Sequence, residues 1–176
     1  MNGASVRLDP GSLPDARVRA RMKMVDDTGE RFVVPSVGLN VPLGALTMVG
    51  STITPPGVTS AYWVRNLGVA PAAAANGSVY VTMHSIHGAG EGPGDYLIDV
   101  STGTAAVKPG ARVQVAGKHY RVTGSTTIAR SDLSSVHWVW RNVPGRLVVI
   151  TCLQRPDAEL AVKNVIIVAK LAGRSS

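Results

Sequence analysis

One cysteine and one histidine of this chain each stand where a strand is expected to end. Residues 147–150 are aliphatic and lead through Thr151 to Cys152, the only cysteine, and residues 79–83 lead to His84. A thiol with an ordinary pKa of about 8.5 and an imidazole with one of about 6.5 can form a thiolate and imidazolium pair near neutral pH. Such a pair performs acyl transfer, with the thiolate as nucleophile and the imidazole as proton carrier. The sequence therefore contains the groups of a cysteine acyl-transferase.

An inert cysteine is the competing interpretation of the same residues. Free cysteine is among the most buried residue types, so Cys152 after three aliphatic residues also fits a core position. His84 can equally be a hydrogen-bonded core histidine. A metal site at His84 and His87 is disfavoured because no carboxylate or thiolate partner accompanies them. We therefore expect no metal and no cofactor, and the sequence alone leaves the nucleophile and the core interpretations open.

Length and composition limit the kind of protein. With 176 residues, 45% of them hydrophobic, the chain can form one domain with a core of its own. A single cysteine excludes an internal disulfide and a cysteine-rich zinc site. We expect a flexible or partly helical extension over residues 1–28, a catalytic domain over 29–173 and a tail over 174–176. No apolar run approaches the length that spans a bilayer, and no secretory signal is visible.

The net charge is strongly positive. The chain has 18 Lys plus Arg against 11 Asp plus Glu, a formal charge of +7 and a pI near 10.1. This charge favours anionic partners such as nucleic acid, teichoic acids or lipid headgroups. The cations are scattered, however, and aromatic residues make up only 5% of the chain. Nucleic-acid binding is therefore the weaker interpretation, and a solvated basic surface is favoured.

Short β-branched runs separated by Gly and Pro predict an all-β protein. The spacing predicts strands over residues 31–35, 37–43, 78–84, 112–116, 119–129, 146–152 and 164–170. The clearest hairpin joins the fourth and fifth of these runs through Gly117 and Lys118. Short helices are expected over residues 57–66 and 131–139, the latter with Ser131 as N-cap, and one or two helical turns over 15–24. Residues 70–76 are expected to form a loop.

The order of these segments resembles the sortases, the cysteine transpeptidases of Gram-positive cell walls. The resemblance covers residues 31–171. It includes the strand that ends at His84, the Gly-Pro-Gly-Asp-Tyr-Leu segment at 92–97, the Lys-Pro-Gly turn at 108–110 and the strand that ends in Thr151 and Cys152. Asp157 and the segment 164–169 are most similar to actinobacterial members of class F or class E. A gene carried by a mobile element or a phage is one option for the origin of the protein. Met83 departs from the glycine that commonly precedes the family's histidine.

The resemblance implies a fold, a reaction and partners. The fold is a closed eight-stranded sortase-like β-barrel with one or two short helices. Cys152 would attack the Thr carbonyl of an LPXTG-like sorting signal on a peptide or protein, and His84 would protonate the leaving amine. An amine of the cell wall or of a pilin would then resolve the acyl-enzyme. The family acts outside the cytoplasm, at the cell surface, and is held to the membrane by an anchor that this sequence does not show.

One family residue is missing from its usual place. The arginine that stabilises the oxyanion should stand near the start of the last strand, where this chain has Val162 and Asn164. Arg155, in the loop after Cys152, is the expected substitute, and Asn164 is the alternative as a neutral donor. Lys163 should point the opposite way by strand alternation. Loss of one oxyanion donor costs about 100- to 1,000-fold in rate.

Two other functions remain open. A sortase-like barrel that binds a partner without catalysis, with Cys152 inert, would explain the missing arginine. A wall-directed L,D-transpeptidase is also β-rich and uses a cysteine nucleophile. Its Ser-His-Gly-Cys type of cluster is not found around Cys152, where the chain reads Ile-Thr-Cys-Leu, so this second option is disfavoured.

Overall fold

Eight strands form a closed barrel in the computed structural model, which describes residues 13–50, 53–86, 91–153 and 161–173. Around the barrel the strands follow the order β1-β2-β3-β4-β9-β10-β8-β7, and β5 and β6 form a separate two-stranded ribbon. The strand bounds are β1 (Val25–Val34), β2 (Leu39–Leu46), β3 (Ala61–Gly68), β4 (Ser78–Thr82), β5 (Ile98–Asp99), β6 (Thr104–Ala105), β7 (Arg112–Val115), β8 (Lys118–Ala129), β9 (Arg146–Leu153) and β10 (Lys163–Leu171). The predicted all-β barrel with few short helices is confirmed.

Strand alternation divides the aliphatic residues between two clusters. Val79, Val81 and Met83 of β4 and its extension face the barrel interior, where they pack with alternate residues of β9 and β10. Tyr80 of β4 belongs to a second cluster on the outer face, together with Val148 and Ile150 of β9 and Ile166 of β10. Both faces of β9 are thus buried, which explains its nearly continuous aliphatic sequence.

Two pairs of neighbouring strands run parallel, β2 with β3 and β4 with β9. The predicted helix over residues 57–66 is wrong, because residues 61–68 form β3. Its Tyr62 and Val64 are buried in the outer cluster, and its backbone pairs with β2 and β4. Partners distant in sequence therefore decide the conformation of this segment.

The remaining local predictions hold in part. Within 131–139 the chain forms a 3₁₀ turn, Leu133–Ser135, and then the short helix α2, His137–Trp140. Ser131 caps neither, because its hydroxyl donates to the Asp132 carboxylate. Residues 70–76, expected as a loop, contain a 3₁₀ segment, Pro71–Asn76. The β7 and β8 hairpin is present, but its turn consists of Ala116 and Gly117, both with positive φ, because Lys118 already pairs with Val115 in the ladder.

A short helix precedes the barrel. The helix α1 (Ala16–Met22) begins after Asp15, whose side chain accepts a hydrogen bond from the Val18 amide at 2.8 Å, as an N-cap should. Met22, at its end, is buried in the outer cluster. Among the described residues, no helix has both the length and the apolar character needed to cross a membrane.

Candidate active site

Cys152 and His84 line the same cavity on the outer face of the barrel. The cavity has a volume of about 390 Å³ and opens where β4 and β9 end. Its lining consists of Ile53, Thr54, Pro55, Thr82, Met83, His84, Arg130, Leu133, Ser134, Trp140, Ile150, Thr151, Cys152 and Asn164. The two residues that the sequence singles out for chemistry are therefore brought to one site from positions far apart in the chain.

The parallel pairing of β4 and β9 explains this convergence. Thr82 is in register with Ile150, so both strands reach the same edge of the sheet, and both chains continue by two residues to His84 and Cys152. Because side chains alternate, these residues stay on the outer face with Thr82 and Ile150. The sequence prediction that His84 lies on the face of Tyr80 and Thr82 agrees with this arrangement.

Two hydroxyl groups tie the strand ends together beyond the ladder. The Thr151 hydroxyl donates to the Met83 carbonyl at 3.1 Å. The Ser85 hydroxyl donates to the Cys152 carbonyl at 2.5 Å. Each hydrogen bond crosses from one strand extension to the other, next to His84 on one side and next to Cys152 on the other. These two hydrogen bonds hold the backbone of both strand ends, and they thereby fix the distance between the thiol and the imidazole.

His84 is held by a backbone carbonyl. Its side chain is buried, with 5% of its surface exposed, and its Nε2 lies 2.8 Å from the Pro55 oxygen. A carbonyl oxygen only accepts hydrogen bonds, so this contact requires the proton on Nε2. In the neutral ring the lone pair then belongs to Nδ1, which makes Nδ1 the nitrogen that gains and loses a proton.

Tyr62 supports the loop that carries Pro55. Its hydroxyl donates to the Asp26 carboxylate at 2.6 Å, and Gly57 lies so close that a Cβ there would overlap the Tyr62 hydroxyl. Burial, followed by the hydrogen bond to Asp26, raises the pKa of Tyr62 above its ordinary range. The phenol therefore stays protonated and keeps donating over the whole physiological pH range.

The Gly-Pro-Gly segment at 92–94 closes over the chain that follows His84. The Gly94 amide donates to the His84 carbonyl at 2.8 Å. The Asp95 carboxylate accepts from the Gly92 amide at 2.7 Å and from the Ile86 amide at 3.0 Å. A Cβ at Gly94 would overlap the Thr151 hydroxyl and lie 2.7 Å from the His84 oxygen. Glycine is required here by close packing against the site.

Asn164 reaches the cavity, whereas Arg155 lies outside the described residues. Asn164 is 8% exposed and is in register with Cys152 across β9 and β10. Residues in register share a face of the sheet, so the side chain of Asn164 is a neighbour of the Cys152 side chain. Lys163 is exposed and in register with Leu153 of the barrel interior cluster, away from the cavity lining. His87 and Asp157 also fall outside the described residues.

Arg130 is a cation of the cavity lining that the sequence analysis missed. Ile128 of β8 is in register with Asn164, which places Ile128, Asn164 and Cys152 in one row across three strands. Arg130 follows two residues later on the same face, with its amide donating to the Val162 carbonyl at 2.9 Å and its Nη1 to the Ala161 carbonyl at 3.2 Å. Side-chain alternation places Arg130 on the same face as Ile128, and this could be predicted from the sequence. Only the pairing of β8 with β10 brings that face to the site.

The segment around α2 forms an apolar wall of the cavity. Trp140 stacks on Tyr80 with ring centroids 6.1 Å apart, and its Nε1 donates to the Leu133 carbonyl at 2.8 Å. Arg146 holds the same segment to β9 by donating to the carbonyls of Trp138, at 2.7 Å, and Val139, at 3.1 Å. The site thus combines an apolar wall with a thiol, an imidazole, an amide and a guanidinium.

Within the described ranges, no group of three or more His, Cys, Asp or Glu side chains is arranged to hold a metal ion. The chemistry that the described lining supports is acyl transfer. The lining holds a thiol in Cys152 and an imidazole in His84, with two hydrogen-bond donors in Asn164, on the neighbouring strand β10, and Arg130, directly after the end of β8.

The fold is shared with solved sortase structures. Sortase A from Listeria monocytogenes matches with a TM-score of 0.52 and 21% identity, over 82% of this chain and 86% of that one. Sortase C-1 from Streptococcus pneumoniae matches with a TM-score of 0.60 and 13% identity, over 85% and 69%. A sortase A lid mutant from Corynebacterium diphtheriae matches with a TM-score of 0.59 and 13% identity, over 88% and 74%. No family model and no curated protein matches the sequence.

Proposed function

We propose that this chain, which has the sortase fold, is a cysteine transpeptidase that exchanges one amide bond of a peptide for another. The observation that carries the proposal is the meeting of Cys152 and His84 in one cavity, at the ends of two neighbouring parallel strands. Cross-strand hydrogen bonds from Ser85 and Thr151 support it, because acyl transfer needs a fixed geometry between nucleophile and proton carrier.

The reaction has two halves. The Cys152 thiolate attacks the carbonyl carbon of the scissile bond and forms a tetrahedral oxyanion. The C–N bond then breaks, and the amine leaves with a proton from Nδ1 of the His84 imidazolium, because Nε2 is held by Pro55. An acceptor amine attacks the resulting thioester, gives its proton back to Nδ1 and displaces the thiolate. Water in place of the amine would give hydrolysis.

We assign the oxyanion's cationic donor to Arg130. It lines the cavity and directly follows β8, the strand next to the one that carries the arginine in the family. Asn164 is in register with Cys152 and also lines the cavity, and it is proposed as a neutral donor to the same oxygen. Arg155, the expectation from sequence, remains the alternative cation.

The proposed substrate is an LPXTG-like sorting signal on a peptide or protein. Ile53, Leu133, Trp140 and Ile150 supply an apolar lining suited to aliphatic side chains. The proposed acceptor is an amine of the cell wall or of a pilin. We also propose that the protein acts outside the cytoplasm at the surface of a Gram-positive cell, anchored to the membrane in full-length form, and that its nearest subgroup is actinobacterial, class F or class E. In domain terms, residues 29–173 are the proposed catalytic unit.

The proposal is tested by intact-protein mass spectrometry after incubation with a pool of LPXTG-type peptides, with and without an amine such as triglycine. The expected result is an acyl adduct that digestion locates on Cys152 and that triglycine removes with formation of the transfer product. Because Cys152 is the only cysteine, prior alkylation provides a matched control that should prevent the adduct. No adduct, with Cys152 alkylated no faster than a free thiol at pH 6, would instead favour the non-catalytic binding module.

Replacement of Arg130 by Gln is expected to lower kcat/KM for transfer by about 100- to 1,000-fold, the usual cost of losing one oxyanion donor. Arg130→Lys should recover part of this loss, because a charge remains but the planar fork does not. The measurement is steady-state transfer to triglycine, with Arg141→Gln, an exposed arginine outside the cavity lining, as the control. A loss confined to Arg155→Gln, with Arg130→Gln unaffected, would move the role to Arg155.

A further inference from the structure

A row of basic residues crosses four neighbouring strands of the barrel. Arg112 of β7 is in register with Arg121 of β8, Arg121 with Lys170 of β10, and Lys170 with Arg146 of β9. Residues in register share a face, and neighbouring strands lie about 4.8 Å apart. The row therefore places four cationic side chains on the same side of the sheet within roughly 15 Å.

Three of the four cations reach solvent. Val113, Tyr120 and Ala169, the chain neighbours of Arg112, Arg121 and Lys170, are buried in the barrel interior cluster, so these three cations project outward. Arg146 differs, because its guanidinium is engaged by carbonyls of the α2 segment and by the Ser78 hydroxyl. Arg112, Arg121 and Lys170 are called the basic row below.

The basic row is unfavourable for the isolated protein. Like charges directly opposite each other on neighbouring strands repel. Within the described ranges, no carboxylate forms an ion pair with any member of the row, and its only side-chain hydrogen bond runs from Arg121 to the Gly110 carbonyl at 3.1 Å. A groove of about 780 Å³ adjoins the row and is lined in part by Arg112, Lys118, His119 and Arg121. An anionic ligand would relieve the repulsion.

We propose that the basic row and this groove bind a phosphodiester polymer that lacks bases, such as a poly(glycerol phosphate). A linear array of cations matches a chain with regularly repeated charges better than it matches a single anion. Among the described residues that line the groove, none offers an exposed Phe, Tyr or Trp ring on which a base could stack, because Tyr120 is 1% exposed. Lys170 of the row is in register with Arg146 at the start of β9, and Cys152 lies near the end of that strand, about 20 Å away, so polymer and peptide can be bound together.

The test uses a fluorescently labelled poly(glycerol phosphate) and measures binding by anisotropy between 50 and 200 mM NaCl. Three phosphate contacts predict a fall in affinity of roughly 20-fold over this range for the native chain. The variant Arg112→Gln, Arg121→Gln, Lys170→Gln should lose most of this salt dependence. The control is Arg17→Gln, Arg21→Gln, Lys23→Gln, because these cations are also exposed and the same three charges are removed. Transfer activity on short peptides should be unchanged in both variants.

Three outcomes would overturn the proposal. Equal loss of affinity in both triple variants would mean that net charge alone attracts the polymer. Equal or tighter binding of an oligothymidine with the same number of phosphates would indicate recognition of nucleic acid. No measurable binding at 50 mM NaCl would exclude the site. Thermal unfolding checks the fold of the basic-row variant, which should melt no lower than the native chain because a like-charge contact has been removed.

Discussion

A Cys152→Ala variant is expected to lose transpeptidation completely, a fall on the order of 10⁶-fold or to the uncatalysed background. In the proposed mechanism the acyl intermediate is bonded to Sγ, and the described cavity lining provides no second thiol. Cys152→Ser should be almost as inactive, because a hydroxyl is far less ionised than a thiol near neutral pH. Turnover is measured by the transfer of a labelled peptide to triglycine.

Binding and stability separate this loss from a structural effect. Cys152 is only partly buried, so removal of its sulfur should change the free energy of unfolding by no more than about 1 kcal/mol. The variant should also retain the peptide affinity of the native chain, measured by anisotropy. Undiminished turnover by Cys152→Ala would contradict the proposed function outright. Loss of turnover together with loss of folding would require the Cys152→Ser variant to decide.

A His84→Gln variant is expected to transfer amide substrates about 100- to 10,000-fold more slowly, the usual contribution of a positioned general acid and base. Glutamine can still donate to the Pro55 carbonyl, which His84 contacts at 2.8 Å, but it cannot carry a proton to the leaving amine. The effect should fall mainly on kcat, because the histidine acts on the leaving group and not on peptide binding. Initial rates with an LPXTG-type peptide provide the measurement.

An activated substrate distinguishes this role from a structural one. A thioester or p-nitrophenyl ester of the same peptide has a leaving group that needs no proton, and at pH 9.5 most of an ordinary thiol is already ionised. Under these conditions the His84→Gln defect should shrink to about 10-fold or less. His137→Gln, an exposed histidine outside the cavity lining, should behave as the native chain throughout. An equal defect with amide and activated ester would show that His84 acts by supporting the fold.

In β4 and β9, one part of the candidate site follows from the local sequence and another part from the fold. Their aliphatic runs, and the polar residues at their ends, are local properties of the chain, and period-two alternation is sufficient to assign His84 to the face of Tyr80 and Thr82. What alternation cannot supply is the identity of the neighbouring strand. The parallel register of Thr82 with Ile150, which makes the pair of Cys152 and His84 possible, is a contact between residues far apart in the chain.

The errors have the same origin. The sequence predicts a short helix over residues 57–66, yet residues 61–68 form β3, because β2 and β4 offer backbone partners on both sides and the outer cluster buries Tyr62 and Val64. Arg130 follows a strand that was recognised from sequence. It reaches the cavity of Cys152 because β10 lies between β8 and β9 and pairs with both. Both pairings join residues that are far apart in the chain.

The sequence by itself determined most of the strands, the all-β class and the two residues proposed to carry the chemistry. Strand periodicity and strand ends are local properties that a few consecutive residues are enough to reveal. Only the tertiary structure decided that Arg130 lines the same cavity as Cys152 and which cations form the basic row. Strand order and register set those neighbours, and both arise from burial and backbone pairing over the whole barrel, to which the spacing of residues along the chain is no guide.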